Sequence, residues 1–410
     1  MNHGGSRSIP LSSTPPARSR PGREGFAAGF LSILLSGCGT LGDSAAHPTL
    51  LPPALSRPLI APTPPLEIRP VENPPPEPQV AVDPPPPPTP ANTPPPQATA
   101  EPAPLPPPPA PASRRAQDIT EWIDAGQWFA GQGWSQPQPV PHGREMRWDV
   151  DGPAGTWSFM PGSKGALWNG IQVWLGFEPR LLAGRLSIHR LDVDHHLAPL
   201  ASDQTAPPWG KRTVVLDPGH GGRNAGTRSI AGNRFEKEFT LDCAQRLAEA
   251  LRKKGWTVSL TRTNDADLSL TERVQTTDAA APDLFISLHF NSAFPGREPA
   301  GLETYTVTPQ GMTSHVTRNY PDDPTVAFPA NRWNDRSLRA ATSVHRAVLA
   351  GTGMTDRGVR HARFLDVLRW QDRTAILVEC GYLSNPAEAS RIQSAEFRQR
   401  LADAIAAGVD

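Results

Sequence analysis

Residues 211–410 predict an α/β fold, a mixed, mostly parallel sheet with helices on both faces. A small β-rich domain and a disordered Pro-rich linker precede it. Three observations carry this. Apolar runs of strand length alternate with amphipathic stretches of helical period across 211–410. Seven of the eleven tryptophans crowd into 116–205, among strand-like runs broken by Gly- and Pro-containing turns. Finally, 28 of the 50 prolines fall in 48–112, and so biased a stretch cannot bury a core.

Taken in order, GFAAGFLSILL (25–35) is too short to cross a bilayer comfortably. Arg18, Arg20 and Arg23 precede it, and Leu35-Ser36-Gly37-Cys38 follows the apolar run. Basic stretch, apolar stretch and small-residue cleavage site make an export signal over 1–37. The layout resembles a bacterial lipoprotein signal, which implies lipidation of Cys38. Gly39 after it implies the outer membrane, hence a periplasmic location with a lipid anchor. Residues 38–115 then read as a tether in extended polyproline II, with a reach on the order of 200 Å.

In 116–205 a helix is expected at 118–130 and strands at 145–150, 155–160, 170–175 and 185–189, as a unit of its own. The tryptophans read as core filling in preference to sugar stacking. Asp192, Asp194, His195 and His196 look like a metal cluster, but they read as a solvated segment, since no partner site lies nearby.

In 211–410 strand 213–217 leads into helix 236–254. Phe239, Cys243, Leu247 and Leu251 make a stripe on that helix, and Gly255 stops it. Strand 256–261, helix 270–280 and strand 284–288 follow. Then come strand 302–308, helix 336–350, strands 363–368 and 374–378, and helix 394–407. Cys243 and Cys380 read as two buried free thiols, with a disulfide left open. The formal net charge is zero and no basic run stands out, which argues against nucleic acid and anionic membrane surfaces as partners.

In parallel sheets ligands bind outside the carboxyl ends of strands. Four segments bring polar groups there. His220 sits in a Gly-flanked turn after TVVLDP, and Glu236 opens the next helix. His289 and then Asn291 follow DLFISL, and Glu379 ends AILVE. Two histidines and a carboxylate suit a hydrolytic zinc site with one open position. A glutamate beside it suits a general base. Taken singly, each has a blander reading, such as a structural histidine or a first-turn glutamate that complements the helix dipole. His315, His345 and His361 follow no strand with a partner in register and read as incidental.

The strings LDPGHGG, the EK of FEKEF, LTR (260–262), DLFISLHFNSA, GLETY (301–305), DRGVR (356–360) and LVECGYLSN resemble the zinc-dependent N-acetylmuramoyl-L-alanine amidases of the Amidase_3 type over about 212–409. The resemblance implies zinc on His220, Glu236 and His289 and a catalytic Glu379, with Arg273 and Asn291 as structural support. It implies hydrolysis of the amide between the muramic acid lactyl group and L-alanine of the peptidoglycan stem, by zinc-activated water. A protein activator is left open. The run 165–193 is similar to the small β-rich stalk domain beside some wall amidases. The alternatives are a zinc carboxypeptidase of the cell wall and an inactive peptidoglycan-binding anchor. Asn224-Ala225-Gly226 and CGYLSN depart from the family's commoner strings. The Pro-interrupted segment between Tyr305 and Arg336 argues against an inserted self-inhibiting helix.

Overall fold

The computed structural model describes residues 122–202, 209–316 and 322–410. The signal (1–37), Cys38 and the tether (38–115) lie outside the described residues. In chain order the elements begin with β1 (Trp122–Asp124), α1 (Ala125–Gly131), β2 (Gln138–His142), β3 (Glu145–Gly152), β4 (Gly155–Phe159), β5 (Gly165–Trp168), β6 (Ile171–Trp174), β7 (Arg180–Leu182) and β8 (Arg185–His189). A helical stretch follows, made of α2 (Arg190–Asp192), a π turn (Val193–Leu197) and α3 (Ala198–Ala201). The second half holds β9 (Thr213–Pro218), α4 (Glu236–Lys253), β10 (Thr257–Leu260), α5 (Leu270–Ala280), β11 (Leu284–Asn291) and β12 (Leu302–Thr306). After a 3-10 turn (Pro329–Trp333) come α6 (Asn334–Thr352), β13 (Asp356–His361), α7 (Asp366–Arg369), β14 (Thr374–Tyr382), α8 (Pro386–Gln393) and α9 (Ala395–Val409).

The expected α/β class is found. Eleven strands form one mixed sheet in the order β10-β9-β11-β14-β12-β13-β6-β5-β4-β3-β2. β10, β9, β11 and β14 run parallel, and β12 is antiparallel to β14. Every residue of β14 is buried, so TAILVECGY reads as an unbroken apolar run where a half-exposed strand would alternate. Helices α4, α6 and α9 pack on one face, where Phe239, Leu247, Leu251, Val344, Leu401 and Ile405 meet Val214, Leu216 and Ile286. On the other face Val215, Phe285, Leu377 and Tyr305 pack with Val367 and Leu368 of α7. The helix starts follow from side-chain caps. Ser269 Oγ accepts from Glu272 N at 3.2 Å while Glu272 Oε2 accepts from Ser269 N at 2.7 Å, a reciprocal box that opens α5.

Several sequence expectations need correction. The strand expected at 363–368 lies instead at Asp356–His361, and Asp366–Arg369 is a turn of helix. Phe364, Val367 and Leu368 face one core at the i, i+3, i+4 spacing of a helix. Residues 116–205 were expected as a unit of their own, but β6 pairs in parallel with β13 through Val173 and Val359. The β-rich half thereby extends the sheet of the second half. Among the described residues, only β1, β8 and β7 form a separate sheet. Trp134, Trp157 and Trp168 fill the core of this half with Phe129 and Phe159, the Trp157 and Trp168 rings lying 5.0 Å apart. The solvated reading of 192–196 holds for Asp194, which is exposed, but fails for Asp192 and His196, which are wholly buried. Asp192 accepts from Gly176 N (2.7 Å) and Phe177 N (2.9 Å) and faces His196 Nδ1 at 3.0 Å.

Cys243 and Cys380 are both buried and free. Between β12 and α6 the described residues hold a single 3-10 turn. Among the described residues no helix is long and apolar enough to cross a membrane.

Candidate metal centre

The carboxyl ends of β9, β11 and β14 meet at one edge of the sheet, and the period-two alternation decides which side chains face the site. Phe285, Leu377 and Tyr305 belong to the second core cluster. The next members of the same rows are polar: Ser287, His289, Glu379 and Glu303. In register, His289 stands beside Glu379 and Glu379 beside Glu303. The chemistry therefore continues a face that is apolar lower in the sheet.

His220 follows β9 in a turn that only unusual backbone allows. Its own φ is 63°, and Gly221 and Gly222 also have positive φ. A Cβ at Gly219 would collide with the His289 ring, and one at Gly226 would lie 2.6 Å from Glu236 Oε2. The turn is clamped from beneath. Arg273 donates to Pro218 O (2.9 Å), His220 O (2.7 Å) and Asp217 Oδ1 (2.6 Å). Arg262 donates to Pro218 O (3.0 Å) and Gly219 O (2.9 Å). Asp217 also accepts from Thr261 and Ser287, so this buried carboxylate is fully bonded.

Glu236 is the first residue of α4, where the helix dipole favours a carboxylate. Its Oε2 accepts from Thr227 N at 3.0 Å and its Oε1 from Phe290 N at 3.1 Å. Oε1 also lies 3.1 Å from His220 Nε2 and 3.1 Å from His289 Nδ1. His220 Nδ1 donates to Asn224 Oδ1 at 2.8 Å, which turns Nε2 toward Glu236. Ligand atoms of His220, Glu236 and His289 all lie within 4.8 Å of one another. Two imidazoles and a carboxylate gathered on one point, with the histidine side chains 12% and 18% exposed, fit a metal site open on one side.

The electrostatics agree. Burial pushes Glu236 up, but the two imidazoles outweigh it and hold the carboxyl well below its ordinary range. Burial pulls His220 down, yet Glu236 and Asn224 carry it above its ordinary value. His289 is pulled down by burial. Such a site, holding excess negative charge only when its protons leave, suits a cation.

Glu379 is buried, and its Oε2 has no hydrogen-bond partner among the described residues. Burial, then Glu236 and Glu303, push it well above the carboxylate range. Asn291 Nδ2 donates to Glu303 Oε2 at 3.1 Å. Glu303 went unrecognised in the sequence, although a lone carboxylate in the apolar strand LETYT was the available signal. It also accepts from Tyr305 (2.8 Å), Arg357 (2.8 Å) and Tyr382 (3.2 Å). The remaining histidines lie elsewhere. His361 Nε2 meets His196 Nε2 at 2.7 Å, His315 Nε2 donates to Leu175 O at 2.9 Å, and His345 Nε2 faces Asp356 Oδ1 at 2.9 Å. The His361 and His315 contacts join the two halves of the molecule, while His345 ties α6 to β12 and β13 within the second half.

Residues 214–410 match the family model described as N-acetylmuramoyl-L-alanine amidase. The chain is 30% identical over 243 residues to the probable cell wall amidase LytH of Staphylococcus epidermidis, across 59% of this chain and 70% of that protein. It is 32% identical over 204 residues to the N-acetylmuramoyl-L-alanine amidase LytC of Bacillus subtilis, across 50% of this chain and 36% of that protein. A solved N-acetylmuramoyl-L-alanine amidase from Clostridium difficile 630 is 33% identical, covering 48% of this chain and 94% of that one, with a TM-score of 0.40. The chain belongs to the N-acetylmuramoyl-L-alanine amidase family.

Proposed function

We propose that this protein hydrolyses the amide between the lactyl group of N-acetylmuramic acid and L-alanine of the peptidoglycan stem. The observation that carries the reading is the convergence of His220, Glu236 and His289 beside a buried, partly unbonded Glu379, inside the segment that matches the family. His220, Glu236 and His289 would hold zinc, which when bound supplies Lewis acidity toward water and the scissile carbonyl. Glu379 is the general base. Among the described residues its Oε2 has no partner, and burial raises its proton affinity, so its carboxylate form takes a proton from water and returns it to the leaving amine. Asn224 holds the His220 ring in the tautomer that presents Nε2. Arg273 and Arg262 fix the turn that carries His220, and Asn291 is braced by Glu303.

The lipid anchor on Cys38, the outer-membrane location and the tether belong to the same proposal. They would place the enzyme within reach of a wall set apart from its membrane. The test is mass spectrometry of soluble products from peptidoglycan treated with the full chain and zinc, with Glu379→Ala as control. Stem peptides beginning at L-alanine, absent from the control, are expected. Release of terminal D-alanine alone would replace the amidase reading with a carboxypeptidase.

A further inference from the structure

Next to the centre, at the join between the two halves, stand two arginines that the hydrolytic chemistry does not use. Arg357 Nε donates to Glu303 Oε1 at 2.8 Å, and its guanidinium lies 5.1 Å from the Tyr382 ring. Arg360 Nε donates to Arg357 O at 3.0 Å and stands 3.7 Å from Glu303, outside hydrogen-bond distance. The Arg360 guanidinium lies 4.6 Å from the ring of Trp174, which comes from β6 in the β-rich half. Trp174 Nε1 in turn donates to Arg357 O at 3.0 Å. Among the described residues, the Nη groups of both arginines have no hydrogen-bond partner, and neither is sealed in the interior. Their side chains keep 24% and 15% exposure.

A stacked, braced guanidinium with its outer donors open is a fork for a carboxylate. Arg360 pairs in register with Tyr305, on the face that carries Glu379 and His289. Strand β13 is three strands from β11. At about 4.8 Å per strand that is roughly 14 Å. An extended peptide covers this in about four residues, at roughly 3.5 Å each.

We infer that Arg357 and Arg360, set by Trp174, bind a carboxylate of an extended acidic peptide about three to four residues beyond the scissile amide. The inference rests on the amidase reading for the direction of the peptide. It gives the β-rich half a part in substrate recognition.

The test uses binding, so that it is separate from turnover. Calorimetry with the full chain carrying Glu379→Gln would compare a synthetic tetrapeptide that begins at L-alanine and ends in free carboxylates with its amidated counterpart. The free acid is expected to bind about tenfold tighter. Arg360→Gln should bring the two within about twofold, Arg360→Lys should restore part of the preference, and Trp174→Phe should weaken it. Equal affinity for both peptides, no measurable binding of either, or an undiminished preference in Arg360→Gln overturns the inference. Absence of stem-peptide release by the unaltered chain would count against the amidase reading alone.

Discussion

Two groups of histidines sit on this one sheet, and they differ in what surrounds them. At the carboxyl edge, His220 and His289 are partly exposed and aim ring nitrogens at a single carboxylate oxygen. At the join between β6 and β13, His196 and His361 are buried and His315 is half-buried, and their ring nitrogens face one another, Asp192, Thr306 and the Leu175 carbonyl. His220 is held by a glycine-dependent turn and His289 by β11, while the second group is tied down by hydrogen bonds between the halves. A histidine becomes a candidate ligand through convergence and an open side. Ring nitrogens spent on bonds between elements make it mortar.

Metal content is where the contrast is most easily broken. His220→Ala or His289→Ala should take bound zinc from about one per chain to none after dialysis, with hydrolysis at background. His361→Ala should keep its zinc. Zinc retained by His220→Ala would collapse the distinction. Next in size, Glu379→Gln should lower turnover by about 10²–10⁴ with zinc unchanged, as read by product release and metal analysis. A variant with native turnover would remove Glu379 from the mechanism.

Asn224→Ala should weaken zinc by about 10–100-fold in a chelator competition, since the His220 ring would lose its brace. The smallest effect concerns the group at the join. Burial pushes His315 down to about 3 from an ordinary value near 6.5, against the pull of the Leu175 carbonyl. The unfolded chain therefore binds a proton that the folded chain refuses between those values. This contribution to stability is complete above about pH 6.5 and declines as pH falls toward 3. Urea unfolding should show that decline, and His315→Gln should flatten it in part.

Much of this was legible because polar residues break apolar runs at strand ends. LDPGHGG and ISLHFN announce themselves in that way, and Glu379 does so at the end of AILVE. Glu303 did not, because it lies within a strand whose partner is antiparallel, so its approach to Glu379 depends on a register that no local pattern encodes. The join was hidden for the same reason. Val173 and Val359 are far apart in the chain, and their pairing is a tertiary fact. The histidine-rich segment 192–196 misled because charge and polarity mimic a surface. Only the backbone amides of Gly176 and Phe177 reveal why Asp192 can be buried.

That pairing of Val173 with Val359 also bears on how the chain tolerates cutting. Severed near residue 209, the second half would lose the strand lying alongside β13 and keep a bare row of amides and carbonyls there. Such a row is a template for another copy of itself. The β-rich half thus acts as a cover on an otherwise adhesive flank, and the two halves make one compact unit despite their different compositions.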